Sequence, residues 1–237
     1  MSDDPLYAAA QLEGIPSAYA AARDGIDALL RDRGLRRTAP ENTAESLLQG
    51  AAASAALEGS SYSTDVLSAG GGDAVARACV RLSTELLGIG EVWARAPIQA
   101  LARIHALAAG GIVDETELGR PVNTDGVTRL NQLAGILQRP TQAPGLVVAA
   151  LVHAEVATAE AFAAANGVVA RAAERIVMMT SGVDPASITV PEAGHAAEPE
   201  GYRSALAAYA RGDTPGVNQW LNYAAQAFAR GSEAAPL

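Results

Sequence analysis

Apolar positions recur along this chain at the three-to-four-residue period of helices that bury one face. Between Ile15 and Arg37, Ala18, Ala22, Ile26, Leu29 and Leu30 fall on one side. The segment ends in Arg31, Arg33, Arg36 and Arg37, broken by Gly34, and basic residues suit the last turn of a helix. Pro40 opens a second helix whose face is Ala44, Leu47, Leu48, Ala51, Ala55 and Leu57, and Gly59-Ser60-Ser61 stops it. Gly70-Gly71-Gly72-Asp73 separates it from a helix over Ala74 to Leu87. Another runs from Pro97 through Leu101, Ile104, His105 and Ala108 to Gly110-Gly111. The period lapses from Gly111 to Thr128, which predicts a loop or short hairpin, and returns from Val127 to Leu137. Gly145 to Ala164 is the most apolar stretch and is predicted to run through the centre. Asn166-Gly167 interrupts it, and Val168 to Thr180 is the next helix. Gly182 to Pro199, with Pro185, Pro191 and Pro199, reads as a connector. Helices over Gly201 to Ala210 and Pro215 to Arg230 close the chain.

Composition agrees with an all-α reading. Alanine, the best helix former, is abundant, and the aromatics that strands favour make up 4% of the chain. The 237 residues suffice for one sizeable core. No repeat at a solenoid period divides them.

Charge narrows the chemistry. The net charge is −9, and all 17 basic residues are arginine, so Schiff-base and Walker-type lysine chemistry is excluded. An acidic chain is a poor partner for nucleic acid or an anionic membrane. A lone Cys79 makes no internal disulfide, and no apolar leader or spanning stretch is legible, so a cytoplasmic location is expected. The three histidines show no metal-ligand spacing with acids or with Cys79, and no metal site is expected. Alanine-rich faces are compatible with a homo-oligomer.

The helix, break and helix around Asn166-Gly167 carry the most chemical information. The amides that open the second helix would face the break, where free N–H groups and the helix dipole favour an anion. Arg171, one turn in, could reach back to grip a phosphate. An ordinary Asn-capped turn with Arg171 on the surface is the plainer reading of the same residues. Earlier in the chain, Ser54 and Glu58 lie four residues apart on one helix face, followed by Gly59.

Together these stretches resemble the Fic (Fido-fold) family, helical proteins that transfer AMP from ATP to a hydroxyl of a target protein. The family's inhibitory helix, Ser/Thr-x-x-x-Glu-Gly/Asn, is matched by Ser54, Glu58 and Gly59. Its active motif, His-Pro-Phe-x-Asp/Glu-Gly-Asn-Gly-Arg-x-x-Arg, is matched at Phe162, Asn166, Gly167 and Arg171. Ile104-His105-Ala106-Leu107 with Gly119-Arg120 is similar to its flap, and Tyr202 to Leu206, Arg211-Gly212-Asp213 and Trp220-Leu221 to its closing helices. The resemblance implies a Fic-like all-α bundle with a short loop or β-hairpin flap over residues 41–237, preceded by a helical extension at 1–40. It implies a nucleotide or phosphate site at Asn166, Gly167, Arg171 and Arg120, closed by an ion pair between Glu58 and Arg171.

The departures are as informative. Glu160 stands where the family has its catalytic histidine, Ala164 where it has the metal-holding acid, Ala165 where a glycine follows, and Val168 where it has its first arginine. Without the acid, Mg²⁺ loses its hard oxygen ligand. Loss of the base should slow transfer about 10²- to 10⁴-fold. The resemblance therefore implies a regulatory or phosphate-binding protein, with ATP or another nucleotide as ligand and a target protein as the other partner. The alternative is a group transferase using Glu160 as base, its pKa raised by an apolar helix end.

Overall fold

The computed structural model describes residues 4–32 and 40–236, so Arg33, Gly34, Arg36 and Arg37 lie outside the described residues. Twelve α-helices are described. They are α1 (Pro5–Ala10), α2 (Ile15–Asp32), α3 (Pro40–Leu57), α4 (Thr64–Ser68), α5 (Ala74–Trp93), α6 (Pro97–Ala109), α7 (Thr124–Leu137), α8 (Gly145–Ala159), α9 (Asn166–Thr180), α10 (Pro191–Ala196), α11 (Pro199–Tyr209) and α12 (Thr214–Glu233). The fold is all-α. Between α6 and α7 the flap is a loop carrying one 3₁₀ turn, Glu115–Glu117, and a single isolated bridge, Gly110 to Val113, instead of a hairpin.

α8 is the most apolar helix and is buried over most of its circumference, with Glu155 and Thr158 at its partly exposed side. Ala149, Ala150 and Ala154 have no exposure, so neighbouring backbones come close. α12 is pinned there by Trp220, whose indole N–H donates to the Ala150 carbonyl at 2.8 Å. α9 lies along α8, and α3, α5 and α6 cover α9. The two N-terminal helices join the same core: Ile15 and Ile26 of α2 are fully buried, and Tyr19 meets Phe228 of α12 edge to face. No helix among the described residues is long and apolar enough to cross a membrane.

Two segments differ from their sequence reading. α8 ends at Ala159 and not at Ala164, because Glu160 turns left-handed (φ 45°). Residues 182–199 form no plain connector. Asp184 accepts the Ile188 and Thr189 amides and the Thr189 hydroxyl, which folds the segment inward, and α10 follows with Glu192 and His195 buried.

Candidate functional site

α3 stops because Gly59 takes up a left-handed φ of 86°, letting the Ser60 amide reach back to the Ala55 carbonyl at 2.9 Å. That turn aims Glu58 at α9. The Glu58 carboxylate accepts a 2.6 Å charged hydrogen bond from Arg171 Nη2, although the two residues are 113 apart in sequence. Arg171 is buried, and its remaining donors are held as well. Nε donates to the Ser54 hydroxyl (2.9 Å), Nη2 to the Ser54 carbonyl (3.2 Å) and Nη1 to the Tyr202 hydroxyl (3.1 Å). Burial alone would depress the Arg171 pKa, but Tyr202 and Glu58 outweigh it and keep the group above its ordinary value. Glu58 is one-third exposed, so it is the solvent side of an otherwise buried pair.

The opening of α9 is shaped for this contact. A Cβ on Gly167 would sit 2.6 Å from Glu58 Oε1 and 3.1 Å from Arg171 Nη1, so a larger residue here would displace the Glu58 carboxylate. No side chain caps the helix: its N-cap, Ala165, is left-handed (φ 58°) and makes no capping bond. Asn166 borders this space, and its amide is engaged by the loop. Its Oδ1 accepts from the Phe162 amide (3.1 Å) and its Nδ2 donates to the Phe162 carbonyl (2.8 Å), which closes the 162–166 loop. Left-handed backbone costs an alanine roughly 1 kcal/mol relative to glycine. Ala165→Gly is therefore expected to raise stability by about 0.5–1 kcal/mol in urea denaturation. An unchanged or lower midpoint would show that the turn is not strained.

The loop is also held from the flap. The Val122 amide donates to the Ala161 carbonyl (2.8 Å), and Asn123 Nδ2 donates to the Glu160 carbonyl (3.3 Å). His105 stacks on Phe162 at 4.2 Å and accepts the Gly119 amide on Nδ1. Burial pushes the His105 pKa down, which keeps that lone pair available.

These elements enclose an open cavity of about 600 Å³, whose wall includes Glu58, Glu160, Phe162, Gly167, Arg171 and Tyr202. Such a volume suits a small ligand. Glu160 is exposed at this wall. Arg120 is exposed too and stands outside the lining. Ser54 lies behind Arg171 as a positioning group. Ala163, Ala164 and Ala165 occupy the loop and offer no side-chain oxygen to a hard cation such as Mg²⁺.

Comparison with known proteins fits this geometry. No protein-family model matches the sequence, and no curated protein matches it at a significant level. Solved structures do match. A Fic family protein from Desulfovibrio desulfuricans G20 superposes with a TM-score of 0.72 at 18% identity, over 91% of this chain and 73% of that one. Fic-1 from C. elegans gives 0.67 at 18%, over 92% and 72%. This chain has the Fic fold.

Behind the cavity the fold gathers residues that sequence spacing does not connect. His153 of α8, Glu174 of α9 and His195 of α10 follow one another at intervals of 21 residues and meet with no exposure. His153 Nδ1 lies 3.0 Å from Glu174 Oε1, and His195 Nε2 lies 3.0 Å from Oε2. Burial pushes the His153 pKa down to about 4, so its ring is neutral. Burial opposes ionisation of Glu174, but its interactions with the two rings hold the carboxyl well below its ordinary value.

Proposed function

We propose that this protein is a Fic-like module with a degenerate catalytic motif, binding a phosphate or nucleotide under the control of Glu58 in place of standard AMP transfer. One observation carries the reading: the Glu58 carboxylate rests against Gly167 and on Arg171, where an anionic ligand would meet the uncapped start of α9. An anion can use that place only when Glu58 withdraws. Val168, where the resemblance expects a phosphate-gripping arginine, is buried in the core, so Arg171 is the only motif arginine left for a phosphate. Ala164 offers no carboxylate where the resemblance expects the metal-holding acid, which argues against metal-assisted transfer by the family's usual route.

The test is isothermal titration with ATP. Wild type should bind weakly, and Glu58→Ala should tighten binding at least about tenfold, the factor equivalent to 1.4 kcal/mol. An additional Arg171→Ala should abolish the gain. No heat from either the wild type or Glu58→Ala would remove the phosphate-binding reading.

A second reading, group transfer with Glu160 as base, is favoured by one observation: Glu160 lines the same cavity as Arg171. Labelled nucleotide incubated with lysate separates the two readings. Transfer abolished by Glu160→Ala supports catalysis, whereas transfer that survives the substitution clears Glu160 of the role.

A further inference from the structure

We propose that His153, Glu174 and His195 form an enclosed structural site for one divalent ion of the zinc class, independent of the cavity and of the function assigned to it. Three observations lead there. First, one donor atom from each of α8, α9 and α10 lies within 4.8 Å of the other two, and imidazole and carboxylate are ligands zinc accepts. Second, the arrangement is imperfect as a hydrogen-bonded triad. His153 Nδ1 and Glu174 Oε1 are 3.0 Å apart, yet both are buried without a hydrogen-bond partner. At that distance the bond is missing either because the ring N–H is turned off the line to the oxygen or because the proton sits on Nε2 and the bare Nδ1 faces the carboxylate. Two atoms so placed can both lie about 2.1 Å from a third point, which is the zinc–ligand distance. Third, the other two buried carboxylate–arginine contacts nearby are complete: Arg171 holds Glu58 and Arg175 holds Glu192, while no described arginine bonds to Glu174. Glu174 relies on two imidazoles in place of an arginine, and a divalent ion held by all three would complement its buried charge.

The surroundings have the form of an outer shell. His153 Nε2 is 2.8 Å from the Tyr202 hydroxyl and His195 Nδ1 is 3.3 Å from the Tyr223 hydroxyl. Each ring thus has its far nitrogen fixed by a phenol, as ligating imidazoles usually have theirs fixed by a polar partner. The Tyr19 hydroxyl is a further buried group without a partner. All three ligand residues have no exposure, so substrate cannot reach the fourth coordination position and the role is structural. The same enclosure means that the ion enters during folding and not afterwards.

The experiment is to produce the full chain in zinc-supplemented medium, dialyse it against a chelator and measure bound metal by mass spectrometry. About one zinc per folded chain is expected, because a closed site releases metal only on unfolding. Refolding with zinc chloride should raise the melting midpoint by about 10 °C over refolding with chelator. His195→Gln and Glu174→Gln should each retain under a tenth of the wild-type zinc, while the double variant Glu58→Ala/Glu160→Ala keeps it. Should the core variants fail to fold, X-ray absorption of the zinc-loaded wild type decides instead, with two imidazoles, oxygen and no sulfur expected. Less than a tenth of an equivalent in wild type, equal zinc in the core variants, or a sulfur ligand from Cys79 would overturn the proposal. In the first case a buried water between His153 and Glu174 becomes the occupant.

Discussion

Replacing Glu192 by alanine should destabilise the protein by about 3–5 kcal/mol, the penalty of stranding a buried guanidinium, and lower the melting midpoint by about 10 °C. Arg175 is 2% exposed and Glu192 7%, and they meet through two parallel bonds, Nε to Oε1 at 2.8 Å and Nη2 to Oε2 at 2.5 Å. The remaining Arg175 nitrogen donates to the Ser46 and Ser187 hydroxyls, so the guanidinium ties α9 to α10, to α3 and to the segment between α9 and α10. α3 crosses the pair at Gly50, where a Cβ would stand 2.7 Å from Arg175 Nη2 and 2.8 Å from Glu192 Oε2. The same α3 delivers Ser54 and Glu58 to Arg171 further on, so the effect should reach the cavity as weaker closure. Denaturation of Glu192→Ala beside the double variant Arg175→Met/Glu192→Leu isolates the cause. The double variant should recover most of the loss, because an apolar pair of similar volume leaves no buried charge. A loss of under 1 kcal/mol in Glu192→Ala would mean the guanidinium finds water that this packing excludes.

How much of this was legible beforehand depends on whether the deciding group is local. Pro40 and the Gly59 stop bound α3 correctly, since proline favours the first turn and glycine the left-handed exit. Ser54, Glu58 and Arg171 were named from their motif, and the structure brings those three together. The end of α8 was not legible. Ala161 to Ala165 carry no stop signal, and the turn at Glu160 is held by Asn123, 37 residues earlier, and by Asn166 folding back on Phe162. The motif marks the identity of Asn166, while its bonds back to Phe162 are visible only in the fold. α10 was hidden for the opposite reason: prolines and glycine at 182–199 are the usual marks of a surface loop, but here Asp184 satisfies the backbone and Gly194 permits close packing. The triad of His153, Glu174 and His195 lies on three separate elements, so no spacing rule within one helix could have found it.

Gly194→Ala should be the most damaging single methyl group in the molecule, with a loss of about 4 kcal/mol or more, above the usual range for overpacking. A Cβ there would overlap the Ala227 carbonyl oxygen of α12 and come within 2.8 Å of its carbon and 3.0 Å of the Gly231 amide nitrogen. These are backbone atoms of a 20-residue helix, and no side-chain rotation can move them aside. α10 must therefore lift away, and with it go the bond from the Val190 amide to the Gly231 carbonyl (2.9 Å), the one from Arg230 Nε to the Gly194 carbonyl (3.2 Å), and the placement of Glu192 and His195. Helix propensity predicts the opposite sign, since alanine is favoured over glycine in a helix by up to about 1 kcal/mol. Gly88, inside α5 and exposed, supplies the control: a Cβ there meets nothing within 4 Å. Gly88→Ala should accordingly raise stability by about 0.5–1 kcal/mol, by propensity and by restricting the unfolded chain. Thermal melts of the two variants side by side separate propensity from packing. If Gly194→Ala melts within 2 °C of wild type, α10 does not rest on α12 as closely as described, and the buried setting of Glu192 and His195 fails with it.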